Sequence, residues 1–308
     1  MGSTETPYRV IADASDRASW LAARGKLIGA SDVPAIMGLS PWATPLSLYA
    51  AKLGYLPEPE ASERLEWGLR LEEPIRQAYE ERTGRPTRRA QQLLGSLTCD
   101  GLGATLDAWA TVDGAEVPLE IKTTHEAGGA GWADGVPQHY VAQIHAQMYV
   151  VGASRASAAV LIGGQRMRWF DLDANADFTA AMVEEVREFQ ARLRDRRPPA
   201  PTGDDADMDA LRALFPKEAA GAEADLAALA DLDAEYSQVD AEIKRLEARR
   251  EIIRQTVAEA IGAAEVGRVS ASVAWTWRTV ERKAYTVEVK ASSSRQLRRT
   301  AKKERGSK

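Results

Sequence analysis

Three residues in one short stretch have the types and spacing for phosphate chemistry. Asp107 closes an apolar run, and thirteen residues later comes Glu120-Ile121-Lys122. On an extended chain Glu120 and Lys122, two apart, share one face, while Ile121 points to the other. Two carboxylates and a lysine on one sheet face suit metal-assisted hydrolysis of a phosphodiester. Hard carboxylate oxygens hold Mg²⁺, and the ammonium steadies a nucleophilic water or the charge developing on phosphate. The spacing alone leaves a second reading open, in which Asp107 is a turn residue and Glu120 and Lys122 belong to a solvated cross-strand face. The pattern is short, and the rest of the chain has to decide.

The element that must position these groups is a hairpin. Asp113-Gly114 is a strong type I′ turn signal between alternating and β-branched residues, so two strands are expected, each presenting an acidic residue. Residues 1–15 read as loosely ordered and are followed by a helix over Ser15–Ala23. Ser31 or Asp32 reads as the N-cap of a helix with Pro34 in its first turn. Pro45–Lys52 and Arg64–Arg82 read as helices; the second carries a stripe of Leu65, Leu69, Ile75 and Tyr79 and stops at Gly84. Acidic residues 57–63 form a loop between them. Further on, a helix over 138–151, strands near Ala156–Ile162 and Arg166–Leu172, and a helix over 175–197 complete a unit of residues 1–197. A Pro- and Asp-rich linker is expected over 198–221.

Residues 222–308 read as a helical extension. Leu232, Tyr236, Val239, Ile243, Leu246, Ile253 and Val257 recur at three-and-four spacing, with Arg250 breaking one position, which predicts a long helix packed on another helix within or between chains. Val266–Val280 alternates as a short hairpin or edge strand. Arg295–Lys308 is a basic tail, most simply a solvated end and alternatively a DNA contact.

Composition excludes several classes. Hydrophobic content of 44% supports a real core, and the net charge of −5 argues against an all-over basic DNA binder but not against a nuclease with an acidic site. A single cysteine, Cys99, rules out an internal disulfide and a four-cysteine cluster, and is consistent with a reducing cytoplasm. His125, His139 and His145 lack the spacing of a zinc site. Neither a membrane span nor a signal peptide is expected.

Two further pieces complete the pattern. Glu72 sits early in the Arg64–Arg82 helix, where a carboxylate near the apolar seam needs a partner or a metal, and Tyr140, Gln143 and Gln147 share one face of the 138–151 helix. The order Arg…Gly-Ala-Ser-Asp, Gly-x-x-x-Glu, Asp, Glu-x-Lys, Tyr-x-x-Gln resembles the YqaJ-type viral recombinase family, to which phage lambda exonuclease belongs, within the PD-(D/E)xK nucleases. The resemblance spans roughly residues 17–195. It implies an α/β core, a central mixed sheet flanked by helices, with the site at one edge.

By the same resemblance, Glu72, Asp107, Glu120 and the Ile121 carbonyl hold two Mg²⁺ ions, for which Mn²⁺ substitutes. Lys122 is the catalytic lysine, and Gln143 lies beside the scissile phosphate with Tyr140 one turn before it. Arg24 and Ser31 grip a 5′-phosphate, and Thr105 replaces a serine of the lambda enzyme, keeping its hydroxyl and adding a methyl. The function implied is 5′→3′ digestion of one strand at double-stranded DNA ends, leaving 3′ single strands for a single-strand annealing protein, with a homotrimeric ring as the assembly. The alternatives are an endonuclease or RecB-like processing nuclease of the same fold, and a catalytically silent DNA-end-binding scaffold.

Overall fold

A turn with two consecutive residues in left-handed backbone organises the central sheet. Asp113 and Gly114 have φ of 50° and 80°, the type I′ geometry the dipeptide predicts, and join β6 (Ala108–Val112) to β7 (Ala115–Thr124). The computed structural model describes residues 6–13, 16–57, 62–90, 92–284, 286 and 295–300. It divides into two units, Met1–Pro216 and Lys217–Lys308. Among the described residues no helix is long and apolar enough to cross a membrane.

In the first unit, β1 (Tyr8–Asp13), α1 (Arg17–Arg24), β2 (Ile28–Gly29), α2 (Val33–Ile36), α3 (Pro45–Lys52) and α4 (Glu63–Thr83) precede β3 (Thr87–Arg89), β4 (Gln92–Ser96) and β5 (Leu102–Thr105). After the β6–β7 hairpin come α5 (Gln138–Val151), β8 (Arg155–Ile162), β9 (Arg166–Asp173), α6 (Ala176–Asp195) and α7 (Asp205–Leu214). One sheet has the order β1-β4-β5-β2, the other β3-β6-β7-β8-β9. β7 and β8 run parallel, so the chain between them must cross over, and α5 is that crossover.

The crossover decides what each face of β7 meets. Val117, Leu119 and Ile121 pack with Ile75 and Tyr79 of α4. The opposite face carries Glu120 and Lys122 and is covered by α5, whose Gln143 and Gln147 reach Glu120. A mixed α/β core with helices on both faces is therefore present, as expected. A second apolar cluster, including Val33, Tyr49, Leu102, Ala142, Met182 and Phe189, fixes α2, α5 and α6 over the first sheet.

Four expectations are corrected. Residues 8–13 are strand, because their backbone pairs with β4 from Tyr8↔Ser96 to Asp13↔Gln92. Leu65 and Leu69 are exposed, since only the C-terminal half of α4, with Ile75 and Tyr79, reaches the sheet. Asp107 lies between β5 and β6 and not on a hairpin strand. Within 198–221, residues 205–214 form α7, which packs on α3 through Ala210 against Leu46 and Ala50. The acidic run that reads as solvated linker caps and anchors this helix. Asp204 accepts from the Ala206 N–H at 2.9 Å, and buried Asp207 accepts from Thr44 Oγ1 and, at 2.7 Å, from Thr202 Oγ1. Parts of the 1–15 and 57–63 readings and residues 301–308 of the basic tail lie outside the described residues.

An ionic cluster ties α4 to β3. Arg76 donates to Glu73 at 2.6 and 3.0 Å and also to Thr87, while Arg89 pairs with Glu73 at 3.0 Å. Hydrogen bonds from Arg76 lead the effects that hold the Glu73 carboxyl down at about 2. A depressed carboxyl stabilises the fold above its unfolded value near 4.5, and that contribution is lost as pH falls through the folded value. Glu73→Gln is expected to reduce stability near neutrality by roughly 1 kcal/mol, since the pair is partly exposed. Denaturant midpoints should converge with wild type between pH 4.5 and 2.

Candidate active site

Glu120 is 1% exposed on β7, and burying an ionised carboxylate requires partners on every lone pair it presents. The structure supplies them from two elements. Gln143 Nε2 donates to Oε1 at 2.6 Å, Gln147 Nε2 donates to Oε2 at 2.5 Å, and the Lys122 ammonium pairs with Oε1. Gln143 and Gln147 are four apart on α5, so both amides descend from one helix face onto one carboxylate. Gln147 also leans on the Thr105 carbonyl at 3.4 Å, and its own Oε1 is buried without a hydrogen-bond partner among the described residues.

Asp107 approaches the same strand from the β5–β6 bend. Its Oδ2 accepts the Ile121 N–H at 2.7 Å. Burial pushes its carboxyl well above the ordinary range, the negative charge of Glu120 pushes the same way, and Lys122 only partly opposes them. Glu72, half-buried on α4, is likewise raised, by burial first and by Glu120 second. It lines an open groove of about 300 Å³ with Arg64, Leu65, Leu69, Ile121 and Lys122. Exposure of Leu65 and Leu69 is thus explained: they wall the groove.

Lys122 has the opposite balance. Burial would lower its pKa, but Glu120 and Asp107 hold it above the ordinary lysine value, so it is a fixed cation at neutral pH. Its ammonium lies 5.0 Å over the Tyr140 ring. Tyr140 in turn stacks on Trp132 at 5.4 Å and contacts His139 at 4.1 Å and Trp42 at 6.2 Å. Trp42 is 61% exposed, so an aromatic wall runs from the lysine out to solvent.

Most sequence candidates are therefore neighbours. Glu72, Asp107, Glu120, Ile121, Lys122, Tyr140 and Gln143 converge, and Thr105 joins them through Gln147. Ser31 is exposed on a turn packed against α5. Arg24 ends α1 with its guanidinium 5.0 Å over the Trp20 ring, and no described contact joins it to the carboxylates. Asp32 serves as more than a cap. It accepts the Gly29 N–H at 2.8 Å and pairs with Lys52 at 2.6 Å, and Lys52 donates to the Leu27 carbonyl at 2.8 Å, locking the Ser31 turn. Sequence reasoning missed that pair, and it gave Gln147 no part in the site. The i, i+4 spacing of the two glutamines was the available signal for Gln147.

These donors suit a hard divalent cation. The set is all oxygen, two of its carboxyls are destabilised as anions by burial and by each other, and Gln147 Oε1 adds an unsatisfied acceptor. Among the described residues no three acidic, histidine or cysteine side chains encircle one point, because Glu120 is turned onto Lys122 and the glutamines.

Residues 19–154 match the model of the YqaJ-like viral recombinase domain. The uncharacterized protein YqaJ of Bacillus subtilis (strain 168) is 27% identical over 257 residues, covering 82% of this chain and 80% of its own. Among solved structures, an alkaline exonuclease from Laribacter hongkongensis has a TM-score of 0.47 and 20% identity over 58% of this chain and 94% of that one. A phage-related exonuclease from Haemophilus somnus 129PT has a TM-score of 0.43 and 11% identity over 55% and 96%.

The raised carboxyl of Asp107 makes a stability prediction. A group whose folded pKa lies above its unfolded value favours the fold at low pH and weakens it as pH rises through the folded value. In metal-free buffer, Asp107→Asn should therefore unfold at higher denaturant than wild type at pH 8. At pH 3 the two midpoints should coincide. A midpoint for the variant below wild type at pH 8 would show that the Ile121 hydrogen bond outweighs the charge.

Proposed function

We propose, from the match of residues 19–154 to the model of the YqaJ-like viral recombinase domain, that the protein is a Mg²⁺-dependent exonuclease acting on linear double-stranded DNA. The observation that carries this reading is the convergence of Asp107, Glu72 and the buried Glu120–Lys122 pair beneath α5. Glu72, Asp107, Glu120 and the Ile121 carbonyl would hold two Mg²⁺ ions, or Mn²⁺ in their place. When bound, such ions supply an acidified water and offset the charge on the leaving oxygen.

The chain's own groups do the remaining work. Lys122, held protonated, presents a fixed positive charge where the phosphate gains negative charge, and so acts as an electrostatic stabiliser in preference to a base. Gln143 carries an amide from α5 to the same carboxylate edge and orients the groups around the scissile phosphate. The wall of Tyr140, His139 and Trp42 offers π-faces on which a terminal base can stack, worth about 1–3 kcal/mol per base. Arg24 and Ser31 bind the 5′-phosphate, with guanidinium geometry matched to two phosphate oxygens, and Thr105 supports the site from the end of β5.

Digestion then runs 5′→3′ and leaves a 3′ single strand, the substrate of a single-strand annealing partner in the same cytoplasm. A homotrimeric ring would keep the duplex enclosed between cuts.

The test uses 5′-phosphorylated linear duplex and a covalently closed circle, each with and without Mg²⁺. Cleavage of the linear form alone, abolished by chelator, is expected; nicking of the circle at a similar rate would make the enzyme an endonuclease. Asp107→Ala and Glu120→Ala should each lower cleavage by roughly 10³-fold or more while the fold survives. Near-normal activity in both would remove this site from the chemistry. Arg24→Ala should lose the preference for 5′-phosphate over 5′-hydroxyl ends, at about 2–5 kcal/mol. Full retention of that preference would leave the arginine a structural role on Trp20.

A further inference from the structure

The second unit poses a different physical problem. Its long helix, α8 (Ala230–Ile261), contains no buried residue. Leu232, Tyr236, Val239, Ile243, Leu246 and Ile253 form one stripe and are 42–59% exposed, and no described residue covers it. The short hairpin of β10 (Val266–Arg268) and β11 (Ala274–Thr276) places Trp275 and Trp277 beside Val257 and Ile261, at the C-terminal end of the helix only. A stripe this regular is a heptad seam. Leu229, Tyr236, Ile243, Arg250 and Val257 fall at one core position, and Leu232, Val239, Leu246, Ile253 and Ala260 at the other.

The charges flanking the seam discriminate between the ways it can be covered. The acidic flanking residues, Asp233, Glu235, Asp240, Glu242 and Glu247, all precede the basic ones, Arg249 and Arg254. Two parallel copies in register set Glu235 against Asp240, Glu242 against Glu247 and Arg249 against Arg254, all like-charged. They also press Arg250 onto its own counterpart in the core. Reversing one helix changes every one of these meetings. With Ile243 layered on the partner's Leu246, Tyr236 meets the partner's Ile253 and Leu229 the partner's Ala260. Arg250 meets the partner's Val239. Glu242 then flanks the partner's Arg249, and Asp233 flanks the partner's Arg254. The one like-charge meeting, Asp240 with the partner's Glu247, lies beside the partner's Arg250, which neutralises it.

We propose that α8 is a self-association element that pairs antiparallel with α8 of a second copy of this chain, in that register. The contacts these side chains make within their own chain do not stand in the way. Asp233–Arg299 at 2.6 Å, Glu242–Arg245 at 2.6 Å and Arg254–Glu251 at 3.6 Å are all solvent-exposed pairs that exchange at little energetic difference. The proposal does not rest on the nuclease reading, because no residue in it belongs to the first unit.

The experiment uses the full chain. Sedimentation gives the mass of wild type and of Leu246→Asp, with helix content monitored by circular dichroism; the seam is exposed, so the variant is expected to keep its helix. A lower mass is expected, halved where the chain assembles through α8 alone. Orientation is read by oxidative cross-linking of Tyr236→Cys and Ile253→Cys, separately and mixed, against wild type, whose Cys99 is buried. Disulfide-linked dimers in the mixture and not in either variant alone support the antiparallel pair. Cross-linking of each variant alone at the mixture's yield would overturn it in favour of a parallel pair. An unchanged mass with no cross-link in any sample would overturn self-association altogether.

Discussion

A carboxylate taken out of water has to be hydrogen-bonded or ion-paired, and Glu120 is almost fully enclosed at the centre of its sheet. The rest of the first unit follows from meeting that demand. β7 pairs antiparallel with β6 and parallel with β8, so a helix has to cross the face that carries Glu120. That helix is α5, and its two inward amides and Lys122 on the strand itself complete the carboxylate's shell. Removing the carboxylate would leave Lys122 and two amide donors facing an apolar interior. The polar centre therefore adds to the apolar contacts that set α5 over the sheet.

The same centre divides its three carboxylates into one that the protein satisfies and two that it does not. Glu120 is neutralised and hydrogen-bonded. Asp107 receives one backbone N–H, and Glu72 sits at a groove rim; both are pushed toward the protonated form by burial and by the charge on Glu120. Stability alone does not select such an arrangement, since an amide or apolar residue at either place would relieve it. Paired carboxyls whose ionisation is held back are what a site looks like when its compensating charge arrives from outside the chain. Lys122 pairs directly with Glu120 alone and only partly offsets the rise at Asp107 and Glu72.

What the sequence disclosed was largely local. Asp113-Gly114 specifies its own backbone, Pro45 and Lys52 bound α3 as read, and the Gly84 stop is left-handed at φ of 68°. The one-face spacing of Tyr140, Gln143 and Gln147 was legible too, but the reach of Gln147 to a carboxylate 27 residues earlier was not. Long-range partners escaped in general. Lys52 returns to Asp32 and Leu27, and Asp207 reaches back to Thr44 across 163 residues. Asp107 was placed on a strand because an apolar run leads into it, whereas the chain changes sheets there and the side chain turns onto the Ile121 N–H. Leu65 and Leu69 continue a helical stripe in sequence, but an open groove separates them from β7, and periodicity does not report where close packing ends.

The two units solve opposite problems with the same residue chemistry. In the first, charge is buried, and the surrounding fold is arranged to satisfy it. In the second, apolar side chains stay in water, and charge is arranged along their edges. Beside the seam of α8 the acidic residues precede the arginines, an order that helix stability does not require, since pairs at three or four residues' distance already satisfy many of these groups locally. Along a seam, the same order acts as an address. It makes parallel pairing repulsive at three flanking pairs and turns one arginine in the apolar stripe from a defect into a selector of direction, because Arg250 is tolerated beside an acid and not beside itself. A sequence under selection only for solubility would have broken the stripe with more than one polar residue.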